Sequence, residues 1–229
     1  MGPGWGADLS VKLTSSQAKS VVNTPMPNGQ AIKFLFRYVS LSAPLRAGDI
    51  DPGERDSILG TGIPLILVQH VEYPSWIASA ANGTEHGNAA GEDAKQIQYP
   101  AGAHVFLDLE GVKNVGGPVD EYVTCWAYAV QAYGFSPALY VGYACGITPD
   151  ILAQHTEFTG FWSDFGPRTL PSPGFMCKQF AQVMHCNVPV DPDKCYADML
   201  GRTLIGMGID DGDPKPHVPN VETKAPPVA

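Results

Sequence analysis

Two carboxylates stand two residues apart where an apolar run ends, in His104-Val105-Phe106-Leu107-Asp108-Leu109-Glu110-Gly111. The run follows a Pro100-Ala101-Gly102-Ala103 turn signal and is rich in Val, Phe and Leu, so it predicts a buried strand. Alternation places His104, Phe106, Asp108 and Glu110 on one face and makes Val105, Leu107 and Leu109 a wholly apolar face opposite. Residues two apart on a strand have Cα atoms roughly 6.5 Å apart, close enough for each acid to influence the other's protonation. Carboxyls coupled in this way are raw material for acid–base chemistry. The local pattern also admits a plainer outcome, a strand that ends at the surface with both acids solvated, because burying two carboxylates side by side is costly. Both readings stand at this level.

The elements around this strand decide what company it keeps. Gly4-Trp5-Gly6-Ala7-Asp8-Leu9-Ser10 predicts a short first strand, and a helix is expected over Ser15–Val22 with Ser15 or Ser16 as its cap. Ala31 to Val39 predicts a second strand in which Arg37 is a charge among aromatic and aliphatic residues. Asp51-Pro52 carries helix-start chemistry, and Ile63 to His70 reads as strand three. Trp76 to Asn82-Gly83 reads as a loop, followed by a helix from Asn88 to Tyr99. After the Asp108 strand, Pro118–Tyr133 carries a helical apolar stripe, and Ala138–Tyr143 is strand five. Thr148 caps a short helix beginning at Pro149, and Phe158–Asp164 is strand six. The prolines and glycines between Asp164 and Phe175 leave no room for a helix. Phe175–Gln182 and Asn187–Asp191 follow as strands, and Tyr196–Met207 predicts a closing helix.

Five strand–helix units followed by three strands with short connections predict an α/β fold, an irregular (β/α) TIM-like barrel. The barrel is expected to span residues 1–209, with a flexible Pro-rich tail over 210–229. Reactive groups of such barrels sit at the C-terminal strand ends. That rule gathers Asp8, Arg37, Asp108, Glu110, Asp164 and Asp191 toward one mouth, with Tyr140, Trp162 and Gln179 on or near strands that face it. Acids and aromatic rings around one pocket suit a sugar, whose apolar faces stack while its hydroxyls bond to carboxylates.

Composition narrows the classes. The chain has 229 residues, and a formal net charge of −9 makes a nucleic-acid backbone an unsuitable partner. No apolar run is long enough for a membrane span. Neither a dinucleotide-type Gly-x-Gly-x-x-Gly, a Gly-x-Ser-x-Gly elbow nor a phosphate-cradling loop occurs. The N-terminus carries no basic segment followed by an apolar core, so no signal peptide is expected in this chain. Five cysteines, Cys125, Cys145, Cys177, Cys186 and Cys195, leave at least one unpaired within a monomer. Cys186 and Cys195 are near enough in sequence to bridge, which the sequence leaves open. With His185 they make no zinc spacing, and His70, His104 and His185 are read as structural.

The Gly-Ala-Asp8-Leu-Ser start, the Phe-Leu-Asp108-Leu-Glu110 strand and the Val190-Asp191 end resemble the family 25 glycoside hydrolases, the Chalaropsis-type lysozymes. Phe36-Arg37-Tyr38, Gly62-Ile63-Pro64, Leu139-Tyr140-Val141-Gly142, Trp162 and Gln179 are closer to a related group, the glycoside-hydrolase-like domains of actinobacterial and other cell-envelope proteins. The resemblance covers roughly Trp5 to Met207 and implies cleavage of the β-1,4 bond between N-acetylmuramic acid and N-acetylglucosamine. It implies Glu110 as general acid, Asp108 as the neighbour that orients or stabilises the acetamido group, and Asp8 and Asp191 as pocket walls. Arg37, Tyr140, Trp162, Asp164 and Gln179 complete the expected substrate-binding set, with Arg37 equally placed to neutralise an acid below the pocket and Tyr140 and Trp162 expected as barrel packing that also forms pocket wall. Pro192 and Asp193 stand where those lysozymes carry a Leu-Asn pair, so a differently shaped strand end is expected there.

The preferred function is therefore hydrolysis of peptidoglycan or a related polysaccharide by a secreted or cell-envelope monomer without cofactor or metal. Two alternatives stand beside it. One is an envelope barrel that binds glycan with little catalysis. The other is a metal-dependent hydrolase that uses Asp8, Asp108, Glu110 and Asp191.

Overall fold

The structure, a computed structural model, describes residues 3–42, 47–72, 74–164, 166, 174–196 and 204–208. Its elements run β1 (Gly4–Leu9), α1 (Ser15–Asn23), β2 (Leu35–Val39), α2 (Pro52–Leu59), β3 (Leu65–Gln69), α3 (Ala80–Gln96) and β4 (His104–Leu109). Then come α4 (Gly117–Ala132), β5 (Ser136–Val141), α5 (Pro149–Leu152), β6 (Gly160–Ser163), β7 (Cys177–Gln179), β8 (Val183–His185) and β9 (Val188–Cys195). Among the described residues, eight strands close a barrel in the order β1-β2-β3-β4-β5-β6-β7-β9, with β9 returning to β1. Neighbours from β1 to β7 are parallel, whereas β9 is antiparallel to both β7 and β1. β8 stands outside the ring as a hairpin arm on β9.

The strands form where apolar runs can be buried on both faces, as parallel strands under helices require. Leu35 and Val39 on β2, and Val105, Leu107 and Leu109 on β4, turn outward into the layer shared with the helices. Phe36, Tyr38, Phe106, Tyr140 and Trp162 alternate inward and fill the barrel with rings. Phe36 stacks flat on Trp162 with centroids 4.4 Å apart and meets Phe106 edge-on at 5.4 Å. The lumen is thus a packed core below an open end.

Local chemistry sets the helix starts. Thr14, one residue ahead of the expected serines, caps α1 through a reciprocal box with Gln17. Asp51 caps α2 with Pro52 in its first turn, and Thr148 caps α5. The main departure is α3. It starts at Ala80, capped by Ser79, so Asn82-Gly83, expected in a loop, lies in its first turn. Gly83, Gly87 and Gly91 repeat every four residues along α3 and face α4 at very close range. A Cβ at Gly83 would stand 2.2 Å from the Tyr122 carbonyl oxygen, and one at Gly87 2.6 Å from that of Trp126. The low helix propensity of three glycines is offset by the backbone approach they allow.

β7 is shorter than expected and β9 longer, running through Pro192 to Cys195, because Phe180 N–H still donates to the Pro192 carbonyl at 2.8 Å. The disulfide is Cys177–Cys195, between register partners of β7 and β9, and not the Cys186–Cys195 pair left open by the sequence. Cys186 is free on the β8–β9 turn, with its thiol directed at the Ser20 carbonyl of α1. Residues 204–208 are not helical as expected. Met207 pairs with Leu65, and the Ile205 N–H donates to His104 Nδ1, so this segment closes the N-terminal end of the barrel. The remainder of the expected closing helix, most of the Pro/Gly stretch after Asp164 and the tail from residue 210 lie outside the described residues.

Candidate active site

The C-terminal end of the barrel opens into a cavity of about 400 Å³ lined by acids and rings. Its walls include Asp108, Glu110, Asp164 and Asp191, together with Tyr38, Tyr140, Tyr143, Gln179, Phe180 and Gln182. β4 delivers the two central acids: Asp108 is buried just inside the strand end, and Glu110, one step beyond it, is half-buried at the rim. The rim position is held by its surroundings. Trp76 donates its indole N–H to the Glu110 carbonyl at 2.9 Å, and Gly111 turns the chain away with a φ of +64°. Gly142, the next residue after β5, leaves the space that Glu110 occupies, since a Cβ there would lie 2.5 Å from both Cβ and Oε2 of Glu110.

Beneath the cavity runs a chain of hydrogen bonds. Tyr140 donates its hydroxyl to Gln179 Oε1 at 2.8 Å, and Gln179 Nε2 donates to Asp8 at 2.9 Å. Tyr38 donates to the other Asp8 oxygen at 3.2 Å. Asp8 is 2% exposed and sits opposite Asp191 across the β1–β9 ladder. One layer deeper, Asp193 is fully buried, and neither of its carboxyl oxygens has a hydrogen-bond partner among the described residues. The Trp162 indole N–H is directed at Asp193 without completing a well-aligned hydrogen bond.

Crowded, dry acids hold protons. Burial, followed by the Asp191 charge, pushes Asp8 up to about 7 against the donors Gln179 and Tyr38. Burial, with Glu110 and Asp8 nearby, holds Asp108 well above the usual carboxylate range, and its Oδ1 has no protein partner. Glu110 is raised by burial and then by Asp164 and Asp191. Asp191 is raised by burial, against a hydrogen bond from Gln182. A raised carboxyl at the rim of an open cavity can donate a proton to a bound oxygen, and a deeper one with a vacant oxygen can take a polar hydrogen from the ligand.

Of the residues expected at the mouth, Asp108, Glu110, Asp164, Asp191, Tyr140 and Gln179 line the cavity. Asp8 lies directly under it. Trp162 is lower still, 1% exposed beneath Tyr140 with ring centroids 4.5 Å apart; it is barrel packing as expected but does not reach the cavity wall. Arg37 is a correction. It points out of the barrel, fully buried against α2, where Nε and Nη2 donate to Glu54 at 2.7 and 3.1 Å and Nη1 donates to the Leu9 carbonyl. Alternation is the reason, since Phe36 and Tyr38 on either side take the inward face.

Tyr38, Tyr143, Phe180, Gln182 and Asp193 were not foreseen. Tyr38 and Asp193 carried a signal, each lying two residues from an inward position on its strand. Phe180 and Gln182 carried none, because their place depends on where β7 stops. Among the described residues, no group of three or more His, Cys, Asp or Glu side chains is disposed to hold a metal ion.

The sequence pattern of the Rv2525c-like, glycoside hydrolase-like domain matches residues 28–181, which run from before β2 to just past β7. A search of curated proteins finds no match. Among solved structures, the Mycobacterium tuberculosis Tat-secreted protein Rv2525c aligns at 15% identity over 86% of this chain and 98% of that one, with a TM-score of 0.61. The catalytic domain of endolysin ply40, from bacteriophage P40 of Listeria monocytogenes, aligns at 17% identity over 86% and 95%, with a TM-score of 0.55. The Clostridium perfringens spore cortex lytic enzyme SleM aligns at 15% identity over 84% and 67%, with a TM-score of 0.56. At these identities the likeness is one of fold.

Proposed function

Because the chain belongs to the Rv2525c-like, glycoside hydrolase-like domain family, we propose that it is a muramidase-like glycoside hydrolase, cleaving β-1,4 bonds in peptidoglycan or a related envelope polysaccharide. The observation that carries this reading is Glu110: a half-buried carboxyl with a raised pKa, at the rim of an open cavity and directly above a second acid. Tyr38, Tyr140, Tyr143 and Phe180 offer rings on which sugar faces stack. Glu110 gives its proton to the glycosidic oxygen as the bond to the anomeric carbon breaks. Asp108 receives the acetamido N–H on its vacant oxygen. Asp191, on the cavity wall, faces the developing oxocarbenium ion, and a water oxygen then bonds to the anomeric carbon while one of its protons returns to Glu110.

An envelope or secreted location belongs with this reading. The buried Cys177–Cys195 disulfide suits an oxidising compartment, and the M. tuberculosis relative is described as Tat-secreted. No helix of the described residues is long and apolar enough to cross a membrane.

The test is release of reducing ends from purified peptidoglycan. Wild type should release them, and Glu110→Gln should lower the rate by at least about a hundredfold while leaving the circular dichroism spectrum unchanged. A wild type inert on every glycan tested that still pulls down cell wall would replace hydrolysis by glycan binding. Activity removed by EDTA and restored by a divalent ion would replace it by metal-dependent hydrolysis.

A further inference from the structure

The outer face of the barrel changes character where the helices stop. Three residues lead from β7 to β8 and a two-residue turn leads on to β9, so no helix is built between these strands. On β7, Cys177 and Gln179 face the lumen, and alternation turns Lys178 outward. Lys194 on β9 is outward for the same reason, and register sets it directly opposite Lys178 on one side and Trp5 of β1 on the other. Its ammonium lies over the rings of Trp5 and Tyr196, 5.6 and 5.2 Å from their centroids. Trp5 in turn meets the Phe180 ring at 5.0 Å. On the far side of β1, exposed Lys33 donates its backbone N–H to the Trp5 carbonyl at 2.8 Å. Trp5, Phe180, Lys178 and Lys194 are half-buried, and Tyr196 is exposed.

Like charges directly opposite on neighbouring strands destabilise a sheet. Lys178 and Lys194 nevertheless stand so, in a chain with 23 acids against 14 Lys and Arg. Among the described residues, Lys12, Arg37 and Arg55 meet carboxylates within ion-pair distance, and neither Lys178 nor Lys194 does. The rings hold the Lys194 ammonium in place, so an arriving anion meets a group already ordered. The patch is also continuous with the candidate active site, because Phe180 lines the cavity and packs on Trp5. We propose that Trp5, Phe180, Tyr196, Lys178 and Lys194 form a second glycan site, on the outer face of the barrel, that holds an acidic polysaccharide of the envelope. The rings take apolar sugar faces, and the lysines take carboxylates carried by some of those sugars. A nucleic acid suits the patch less well, because it brings a charge on every nucleotide into the field of a chain of net charge −9. The choice of a polysaccharide rests on the glycosidase reading, but the binding itself requires no turnover.

Tryptophan emission of the full chain provides the test. Of the four tryptophans, Trp76, Trp126 and Trp162 are buried, so acrylamide in solution quenches chiefly Trp5. Polygalacturonate, an acidic polysaccharide, should protect Trp5 from acrylamide in a saturable way, and neutral dextran should bind at least about tenfold more weakly. Lys178→Gln combined with Lys194→Gln should raise the Kd for polygalacturonate by about tenfold or more. Lys19→Gln combined with Lys95→Gln removes the same charge from the exposed sides of α1 and α3 and should change that Kd by less than about twofold. Unprotected Trp5, or equal losses in the two double variants, would overturn the proposal. Tighter binding to oligodeoxythymidylate or to phosphatidylglycerol vesicles would also overturn it, assigning the patch to a nucleic acid or a membrane. Protection of Trp5 in a wild type that releases no reducing ends sinks the glycosidase reading alone and leaves the outer site standing. Hydrolysis without any such protection sinks the outer site alone.

Discussion

Arg37 shows how one residue's direction decides its role. A guanidinium with no exposed surface, bonded through two nitrogens to Glu54 and through a third to the Leu9 carbonyl, ties β2 to α2 on the side of the barrel away from the cavity. Glu54 also accepts the Leu13 N–H at 2.8 Å, so the pair fixes the segment that leads into α1. Removing one member of such a pair strands the other charge in a dry site. Arg37→Ala should therefore destabilise the protein by about 3–5 kcal/mol in denaturant unfolding. Arg37→Met combined with Glu54→Leu should recover part of that loss, because no charge is then left buried. Unchanged stability together with lost glycan binding would return Arg37 to the ligand side. Glu110 is the opposite case: its position past the end of β4, the Trp76 bond to its carbonyl and the absent side chain at Gly142 all direct one carboxyl into open space.

At the scale of elements, the α3–α4 contact is the joint most sensitive to a single methyl group. These helices flank β4, one before it and one after it in the chain, and their close packing supports the strand that carries both central acids. At Gly87 a Cβ would sit 2.6 Å from the Trp126 carbonyl oxygen and 2.7 Å from the Ala129 Cβ. Alanine would gain about 1 kcal/mol of helix propensity over glycine. A backbone oxygen cannot move aside as a flexible side chain can, and overpacking of this kind costs typically 1–3 kcal/mol. Gly87→Ala should accordingly be neutral to destabilising, by up to about 2 kcal/mol, and Gly87→Leu far more so, both read from chemical denaturation. A stabilised Gly87→Ala would mean that the two helices are not held this closely in solution.

For the molecule as a whole, the raised acids, most of them in the barrel mouth, set how stability responds to pH. Asp8, Glu72, Asp93, Asp108, Glu110, Asp191 and Asp193 are all raised, chiefly by burial, with Asp8 and Asp93 at about 7. The folded protein thus binds these protons more tightly than the unfolded chain. Their contribution is complete below the ordinary carboxylate range and is lost as pH rises toward about 7 and beyond. His155, raised by its hydrogen bonds to Glu157 and Asp120 against the effect of burial, adds to the same trend. Buried His86, lowered, opposes it over the histidine range, while Asp51 and Glu157, lowered, protect only against stronger acid. Seven raised acids outweigh one lowered histidine. The melting temperature should be higher by several degrees at about pH 5 than at about pH 8. Equal melting temperatures, or a higher one at the alkaline end, would mean that the lumen acids are hydrated and ordinary.

The order of strands and helices from β1 to β7, the barrel they close and the presence of two acids at the end of β4 could be read from the chain, because backbone pleat and turn residues dictate them locally. The same local rules set Asp108 inward with Phe106 and His104. They could not say which side of β2 is the lumen, and Arg37 was misplaced for that reason. Pro192 made the last strand look finished at Asp191, which hid Asp193. Asn82-Gly83 looked like a loop signal until α4 was found lying against Gly83, and the cysteine pairing waited on the register of β7 against β9. The tertiary structure decided which acids share one dry volume. Desolvation and mutual charge act through space, and only closure of the barrel brings Asp8, Asp108, Glu110, Asp191 and Asp193 within their reach.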